Sequence, residues 1–322
     1  MKVLIQVKYN SAVDKKVRHL RKEHPLAELY TDLERSPLSD IQVLLGGNVR
    51  QDLLSQLSSL KLIIVPYAGV NHLPLEYLTD HAIALSSCHS NAPYVAERAL
   101  ALVLDLMGRV TEYHNDLKQE RWHGFSVGGG MSDAWSSLFG KTCGILGTGA
   151  IGRRLAGLLK AFDCRVTGYR RNAGETPEPF DSVSADLEEV LRESDILFVA
   201  LPLTRDTHGI LGEKELALLS GKILVNMGRG PLVDEKALYR VLSDGVLAGA
   251  ALDAWYTYPT GRNSGAPSRF PLHQLKNVVL SPHVGGFSRE ALVDTMDEAF
   301  DILDVYIREG RVVNPVDTLR EY

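Results

Sequence analysis

The glycine pattern GTGAIG, at residues 147–152, directly follows the apolar strand-like run CGIL and opens the amphipathic run IGRRLAGLLKAF. Gly147 permits a tight turn, Gly149 lets a pyrophosphate approach the backbone, and Gly152 allows the helix to pack closely against the strand. The phosphates then bind the free amides at the N-terminus of the helix. The segment therefore predicts a dinucleotide site in a strand–turn–helix unit, formed by Gly147, Gly149, Ala150, Ile151 and Gly152.

The chain around this turn alternates strand-like and helical runs. Apolar runs predict strands at residues 141–147, 164–169, 195–202, 222–228, 248–255 and 277–282. Helical patterns lie between most of them, at 151–162, 185–194, 213–219 and 235–245. This alternation predicts an open parallel sheet with helices on both faces, which is a doubly wound α/β fold.

Residues 1–91 repeat the alternation on a smaller scale. Strands are predicted at 2–7, 27–30, 41–46, 62–67 and 82–87, and helices at 50–60 and 73–80. A single long apolar helix is predicted from Pro93 to Asp116, a glycine-rich loop at 122–135, and a last helix at 288–310. Two α/β units of unequal size predict a two-domain protein with a cleft between the domains.

Composition and charge exclude several classes of protein. The formal net charge is −5, and the one basic cluster, DKKVRHLRK (14–22), has the pattern of a solvated helix face, so we expect no nucleic-acid partner. Cys88, Cys143 and Cys164 show no CxxC spacing and lie in apolar runs, which indicates reduced, buried thiols rather than a disulfide frame, and we expect no metal site. No apolar run approaches the ~18 residues of a membrane span, so we expect a soluble, cytoplasmic protein without a membrane partner.

Two consecutive arginines, Arg170 and Arg171, follow the second strand of the larger unit. A NAD-binding unit normally carries an Asp or Glu here for the ribose 2′-hydroxyl, but this chain has no carboxylate before Glu175. Guanidinium groups bind phosphate with two hydrogen bonds and can stack on adenine. We therefore expect NADP(H) to be favoured, with NAD(H) possible. The alternative, that both arginines are solvated loop charges and the site accepts either cofactor, stays open.

Five segments of the chain form a set: GTGAIG, PYAGVNHLP (66–74), LPLTRDTHG (201–209), VNMGRGPLVDEKAL (225–238) and LSPHVGGFS (280–288). In their order and spacing along the chain they resemble the D-isomer-specific 2-hydroxyacid dehydrogenases, the family of glyoxylate/hydroxypyruvate reductases and phosphoglycerate dehydrogenases. The resemblance implies a discontinuous, flavodoxin-like substrate domain made of residues 1–91 and 289–322. A Rossmann NAD(P)-binding domain, residues 92–288, would be inserted into it. The resemblance also implies a homodimer.

Two side chains in these segments suit the reduction of a 2-keto acid, which needs a cation for the carboxylate and an acid for the new alkoxide. Arg229 follows a strand and can bind the carboxylate with its guanidinium fork. His283 also follows a strand, and its unperturbed pKa near ~6.5 lets it give and take a proton. Arg229 and His283 are therefore the candidate catalytic residues.

The resemblance adds binding residues to this pair. It implies that the backbone amides of Ala68 and Gly69 bind the substrate carboxylate together with Arg229. It further implies that Asp253 holds the nicotinamide carboxamide. The other implied cofactor contacts are Pro202, Thr207, Met227, Gly228, His283 and Gly285.

One position departs from the family's pattern. The resemblance places a catalytic glutamate five residues after Asp253, directly before a proline, but this chain has Tyr258 there, before Pro259. A carboxylate beside an imidazole raises the imidazole pKa and fixes its tautomer, whereas a tyrosine offers at most a phenolic hydrogen bond. Tyr258 is thus a candidate replacement for the glutamate, and we expect the pKa of His283 near or below ~6.5.

Together these features predict an NADP-preferring oxidoreductase that transfers a hydride between the cofactor and a small 2-keto or 2-hydroxy acid, such as glyoxylate or hydroxypyruvate. Two alternatives stay open. The missing glutamate would suit an oxidation that needs little acid–base help, as in the related formate dehydrogenases. The family also includes corepressors that bind a dinucleotide without turnover. The presence of both Arg229 and His283 favours an enzyme.

Overall fold

The computed structural model describes residues 1–261 and 263–322. The described chain divides into two compact units. Unit 1 is Met1–Asn91 with Ser288–Tyr322, and unit 2 is Ala92–Phe287. Ser288, expected in the nucleotide domain, falls in unit 1, and its hydroxyl accepts a hydrogen bond from Ala291 N that caps the last helix. The roles of a substrate domain and a nucleotide domain stay predictions.

The helices and strands are numbered in chain order. The strands are β1 (Lys2–Ile5), β2 (Glu28–Tyr30), β3 (Val43–Leu45), β4 (Leu62–Val65), β5 (Ala84–Ser87), β6 (Thr142–Leu146), β7 (Arg165–Tyr169), β8 (Ser182–Ser184), β9 (Ile196–Val199), β10 (Ile223–Asn226), β11 (Gly249–Leu252) and β12 (Val278–Leu280). The helices are α1 (Ser11–Glu23), α2 (Gln51–Leu54), α3 (Leu75–Asp80), α4 (Ala92–Gly108), α5 (Val110–Leu117), α6 (Ala150–Lys160), α7 (Leu187–Glu193), α8 (Glu213–Ala217), α9 (Glu235–Ser243) and α10 (Arg289–Glu309).

Unit 1 is a parallel sheet with the strand order β2-β1-β3-β4-β5. Alternate residues of β1, β3 and β4 enter two separate cores, as the period of two along a strand requires. One core is closed by α1 and α10, and the other by α2 and α3. Because both faces are covered, these strands are apolar along most of their length. The flavodoxin-like strand order predicted for this part of the chain is confirmed.

Unit 2 is a larger parallel sheet with the order β12-β11-β10-β9-β6-β7-β8. β6 pairs with β7 on one side and with β9 on the other, so the chain reverses its direction of winding beside β6. In open α/β sheets, ligands bind outside the carboxyl ends of the strands at such a reversal. The predicted Rossmann fold is confirmed, and the GTGAIG segment follows the strand at the reversal.

Two predictions for unit 2 are wrong. The sequence predicts six strands, but the sheet formed by the described residues has a seventh, β8. Its sequence, SVS, is short and polar because it lies at the sheet edge, so no apolar run marks it. The single helix predicted from Pro93 to Asp116 is two helices, because Arg109 adopts a left-handed φ of 52°. Asp105 stabilises this break by accepting hydrogen bonds from the amide (2.7 Å) and hydroxyl (2.8 Å) of Thr111.

The cysteines and helices also bear on the class of protein. Cys88, Cys143 and Cys164 are free and buried, as predicted. Burial raises the pKa of the Cys88 and Cys143 thiols far above the ordinary value, so they are unreactive at neutral pH. Within the described ranges, no helix combines the length and the apolar character that crossing a membrane requires.

Candidate active site

The GTGAIG turn joins β6 to α6, and its glycines have three different environments. Gly147 has φ +106°, and a Cβ there would lie 2.8 Å from the carbonyl oxygen of Ala200. A Cβ on Gly152 would lie 2.0 Å from the carbonyl oxygen of Gly147, so glycine lets α6 begin close to β6. A Cβ on Gly149 would meet no atom within 4 Å. This open space beside the first amides of α6 fits the pyrophosphate of a dinucleotide.

Arg170 and Arg171 lie directly after β7, where a dinucleotide on this fold places its adenosine ribose. Arg170 turns back on its own loop: its Nε donates to Ala173 O (2.7 Å) and its Nη2 donates to Glu175 O (2.5 Å). Arg171 reaches the loop after β9, where its Nη2 lies 2.9 Å from Oδ2 of Asp206. The two guanidiniums therefore stiffen the loop after β7 and join it to the neighbouring loop.

Strand register brings the candidate catalytic residues to one edge of the unit 2 sheet. β11 pairs in parallel with both β10 and β12, so that the last residues of the three strands lie side by side. Arg229, Asp253 and His283 follow these strand ends by three, one and three residues. Since all strands of the sheet are parallel, the GTGAIG turn lies at the same edge. The register thus explains why residues far apart in sequence share one site.

Arg229 is held by the turn that follows β10. Nδ2 of Asn226 donates to the carbonyl oxygen of Arg229 (3.0 Å), while Oδ1 of Asn226 accepts from Gly228 N (3.1 Å). The guanidinium donates from Nη1 to Gly228 O (2.9 Å). Burial lowers the pKa of Arg229, and the nearby Tyr258 raises it by a smaller amount. A guanidinium still keeps its proton in a protein, so the site presents a partly buried, fixed cation.

Asp253 ties the segment that carries His283 to the end of β11. Its Oδ1 accepts from Val284 N (2.9 Å) and its Oδ2 accepts from Gly285 N (2.9 Å). The carboxylate also accepts a hydrogen bond from the hydroxyl of Ser281. His283 lies between these contacts with a left-handed φ of 58°, a conformation that costs a non-glycine residue about 1–2 kcal/mol. The hydrogen bonds to Asp253 offset that cost and hold the turn.

Tyr258 packs beside His283, with ring centroids 5.3 Å apart. Its Oη accepts from Trp255 N (3.1 Å), which leaves the hydroxyl proton to be donated. Burial raises the pKa of Tyr258 above its ordinary value. The pKa of His283 is lowered, first by burial and then by the charge of Arg229, while Asp253 partly opposes the shift. The sequence attributed a low pKa to the missing glutamate alone; the structure adds burial and Arg229 as causes.

The remaining predicted binding residues lie after strands of one or the other unit. In unit 2, Ala150 and Ile151 open α6, Pro202 and Thr207 lie in the loop after β9, and Met227, Gly228 and Gly285 lie in the loops after β10 and β12. Thr207 stabilises its loop by donating from its hydroxyl to Pro202 O (2.7 Å). Ala68 and Gly69 lie in unit 1, in the loop after β4. Their role in substrate binding stays a prediction.

Ser281 and Asp206 were not among the residues predicted from the sequence. Both lie within the motif segments LSPHVGGFS and LPLTRDTHG, and a polar side chain within such a motif is a signal that could have found them. Their partners, Asp253 and Arg171, lie 28 and 35 positions away along the chain. Only the fold brings such pairs together.

Comparisons with known proteins identify relatives of this chain. Residues 100–285 match the family described as "D-isomer specific 2-hydroxyacid dehydrogenase, NAD binding domain". A glyoxylate reductase of Aeropyrum pernix is 37% identical over 258 residues, which cover 78% of this chain and 74% of the relative. A glyoxylate/hydroxypyruvate reductase B of Erwinia tasmaniensis is 33% identical over 279 residues, 84% of each chain.

A solved structure extends the likeness to the whole chain. An acyclic imino acid reductase in complex with NADPH and D-Arg superposes with a TM-score of 0.80 and 26% identity, covering 98% of this chain and 100% of that one. The matched family sequence, the relatives and the fold agree. The chain therefore belongs to the D-isomer-specific 2-hydroxyacid dehydrogenase family and is a nicotinamide-dependent oxidoreductase.

Proposed function

We propose that this protein is an NADPH-dependent reductase of a small 2-keto acid, with glyoxylate or hydroxypyruvate as the substrate class. The observation that carries the proposal is the convergence of Arg229 and His283 at the sheet edge that also carries the GTGAIG turn. The names of the curated relatives, glyoxylate reductase and glyoxylate/hydroxypyruvate reductase B, support the substrate class.

Each side chain has one task in the proposed reaction. The guanidinium of Arg229 binds the substrate carboxylate and polarises the ketone. Protonated His283 donates its proton to the ketone oxygen as negative charge develops there. The amides of Ala68 and Gly69 bind the carboxylate as well, and Asp253 orients the nicotinamide carboxamide. A bound nicotinamide supplies the hydride for the carbonyl carbon.

A panel assay tests this function. NADPH and NADH oxidation would be followed by absorbance with glyoxylate, hydroxypyruvate and larger 2-keto acids, and the reverse reaction with formate and D-2-hydroxy acids. We expect turnover of the small 2-keto acids. Turnover of formate alone would favour a formate dehydrogenase. Dinucleotide binding without turnover of any substrate would favour a sensor or corepressor and contradict the proposal.

We predict that NADPH gives a higher kcat/KM than NADH and that Arg170→Asp reverses this preference. A 2′-phosphate is a charged acceptor and forms stronger hydrogen bonds than the loop carbonyls that Arg170 contacts in the structure. Losing one such bond costs about 1.5–3 kcal/mol, or roughly tenfold or more in kcat/KM. Both kinetic constants would be measured with each cofactor.

Arg165→Asp is the matched control for this substitution, because it makes the same charge change at the opposite end of β7. It should leave the ratio of the two cofactors unchanged. A loop that is merely loosened by Arg170→Asp would lower kcat/KM for NADH as well as for NADPH. Equal KM values for both cofactors in the unmodified protein would count against the proposed NADP preference.

We predict that reduction fades as the pH rises through a value near or below ~6.5, the unperturbed histidine pKa. Reduction requires protonated His283, and burial with the charge of Arg229 lowers the pKa of His283, so its proton is lost at lower pH. Tyr258→Glu places an anion beside the imidazole and should move this limb of the pH profile of kcat/KM to higher pH.

Tyr258→Phe is the control for the charge, since it removes only the hydroxyl and should leave the position of the limb close to that of the unmodified protein. If the unmodified limb already lies well above pH 7 and Tyr258→Glu leaves it there, another group supplies the proton and the assignment of His283 is wrong.

We also propose that the protein is a homodimer that associates through an apolar surface of unit 2. This surface consists of exposed side chains that follow α5: Trp122, Phe125, Val127, Met131 and Trp135. Phe125 and Met131 are almost completely exposed, at 104% and 91%. Trp122, Phe125 and Met131 border one cavity of about 770 Å³, so the surface is contiguous. Exposed apolar patches of this kind mark association sites.

Light scattering tests the dimer. Phe125→Asp would place a charge in the apolar surface and should convert the dimer to a monomer. Leu26→Asp is the matched control, because Leu26 is also exposed (91%) but lies outside this surface. A monomeric unmodified protein, or a Phe125→Asp variant that stays dimeric, would exclude this interface.

A cytoplasmic location fits the state of the cysteines. The three cysteines are free and buried, with no disulfide among them. Free thiols are typical of proteins kept in a reducing compartment.

A further inference from the structure

A buried chain of hydrogen bonds runs from α4 to the segment that carries His283. Arg98 donates from Nε (3.3 Å) and Nη2 (3.1 Å) to Oγ of Ser281. The Ser281 hydroxyl in turn donates to Oδ1 of Asp253. Ser281 and Asp253 expose only 1% and 2% of their surface, so water cannot readily replace these bonds.

The chemistry of Arg98 sets the direction of this chain. A guanidinium donates hydrogen bonds and cannot accept them, so the oxygen of Ser281 must be the acceptor. A serine hydroxyl has one proton, and that proton is left for Asp253. Trp255 holds the same serine from the other side, by donating from Nε1 to the backbone carbonyl of Ser281 (2.7 Å). Arg98 therefore fixes the orientation of the Ser281 hydroxyl.

Asp253 links the Ser281 hydroxyl to the turn that contains His283. The amides of Val284 and Gly285, the two residues that follow His283, both donate to the Asp253 carboxylate at 2.9 Å. A Cβ on Gly285 would lie 2.9 Å from Oδ2 of Asp253, so glycine is what permits this close approach. A left-handed non-glycine residue such as His283 persists only where the surrounding structure holds it. The carboxylate supplies that restraint.

We propose that Arg98 and Ser281 are positioning residues of the reductase: they fix the Asp253 carboxylate and, through it, the turn that presents His283 to the substrate. This inference rests on the proposed function, in which His283 donates the proton. Neither Arg98 nor Ser281 touches the substrate; both act through Asp253.

The pH profile separates positioning from a simple charge effect. Arg229 lowers the pKa of His283 and Asp253 raises it, while the Tyr258 ring packs against the imidazole. If Asp253 is no longer held in place, it raises the pKa of His283 less. The limb of the pH profile for reduction should then move to lower pH. Removing the cation of Arg98 without any loosening would move the limb to higher pH, because a nearby positive charge disfavours a protonated imidazole. Ser281→Ala changes no charge, so it tests the loosening of Asp253 without a charge effect.

The experiment compares Arg98→Met, Ser281→Ala and the double variant. We expect each single substitution to lower kcat for 2-keto acid reduction about tenfold, with KM changed less than about threefold, and to move the pH limb downward. If Arg98 acts through Ser281, the double variant should lose no more activity than the worse single variant. Ser281→Thr retains the hydroxyl and should recover most of the activity lost in Ser281→Ala.

Controls separate this proposal from lost stability and from the proposed function. Ser194→Ala removes an equally buried serine, also 1% exposed, whose hydroxyl donates to Val190 O in the last turn of α7, and should leave kcat and the pH limb unchanged. A tenfold loss in Ser194→Ala, additive losses in the double variant, or a limb that moves upward in Arg98→Met would overturn the positioning role. If both single variants keep a normal kcat and pH limb while His283→Ala is inactive, the positioning role is wrong but the proposed function stands. A fully active His283→Ala variant would overturn the proposed function itself.

Discussion

Arg229→Ala is expected to lower kcat/KM for 2-keto acid reduction by roughly 10²-fold or more, a loss of about 3 kcal/mol of transition-state binding. The guanidinium is a partly buried cation at the carboxyl edge of the unit 2 sheet, and it is the group proposed to bind the carboxylate and polarise the ketone. Steady-state kinetics with glyoxylate and hydroxypyruvate would measure the loss.

Two further variants test whether the loss of kcat/KM is caused by removal of the Arg229 guanidinium. Arg229→Lys keeps the positive charge but not the planar fork, so it should recover only part of the activity. Arg240→Ala removes an exposed arginine of α9 that pairs with Glu213 at 2.8 Å, and it should stay within about twofold of the unmodified protein. Near-normal turnover in Arg229→Ala would exclude Arg229 as the carboxylate anchor.

His283→Ala is expected to lower kcat by roughly 10²- to 10⁴-fold, the range for loss of a general acid. The proton must reach the ketone oxygen during hydride transfer, and His283 is the titratable group that follows β12 at the sheet edge. KM should change less than kcat, because the carboxylate contact of Arg229 remains. Affinity for NADPH, measured by nicotinamide fluorescence, should stay within a few-fold of the unmodified value.

His273→Ala is the matched control, because His273 is an exposed histidine of unit 2 in the turn just before β12. It should leave kcat unchanged. The residual activity of His283→Ala should also lose the pH limb that the unmodified protein shows near or below ~6.5. A residual activity that keeps this limb would mean that another group titrates, whatever the size of the loss.

Local sequence determined the architecture of this protein and the parts of its site. A strand-like run, three spaced glycines and an amphipathic helix specify a phosphate-binding turn within a short stretch, so GTGAIG could be recognised without any long-range information. Apolar strands alternating with amphipathic helices likewise specify parallel sheets covered on both faces. Arg229 and His283 could be found because each stands just after an apolar strand, and parallel strands present their ends at one edge.

Tertiary structure decided everything that depends on a partner far along the chain. Ser281 binds Arg98, which lies 183 positions away, and no local pattern pairs an arginine in a helix with that serine. The left-handed turn of His283 exists because Asp253 restrains it, whereas the sequence itself disfavours that conformation. The same reason explains one of the two errors in unit 2: β8 is a strand only because an edge of the sheet is there to pair with it. Short-range propensity specifies elements, but these contacts form only when the whole sheet has set its register.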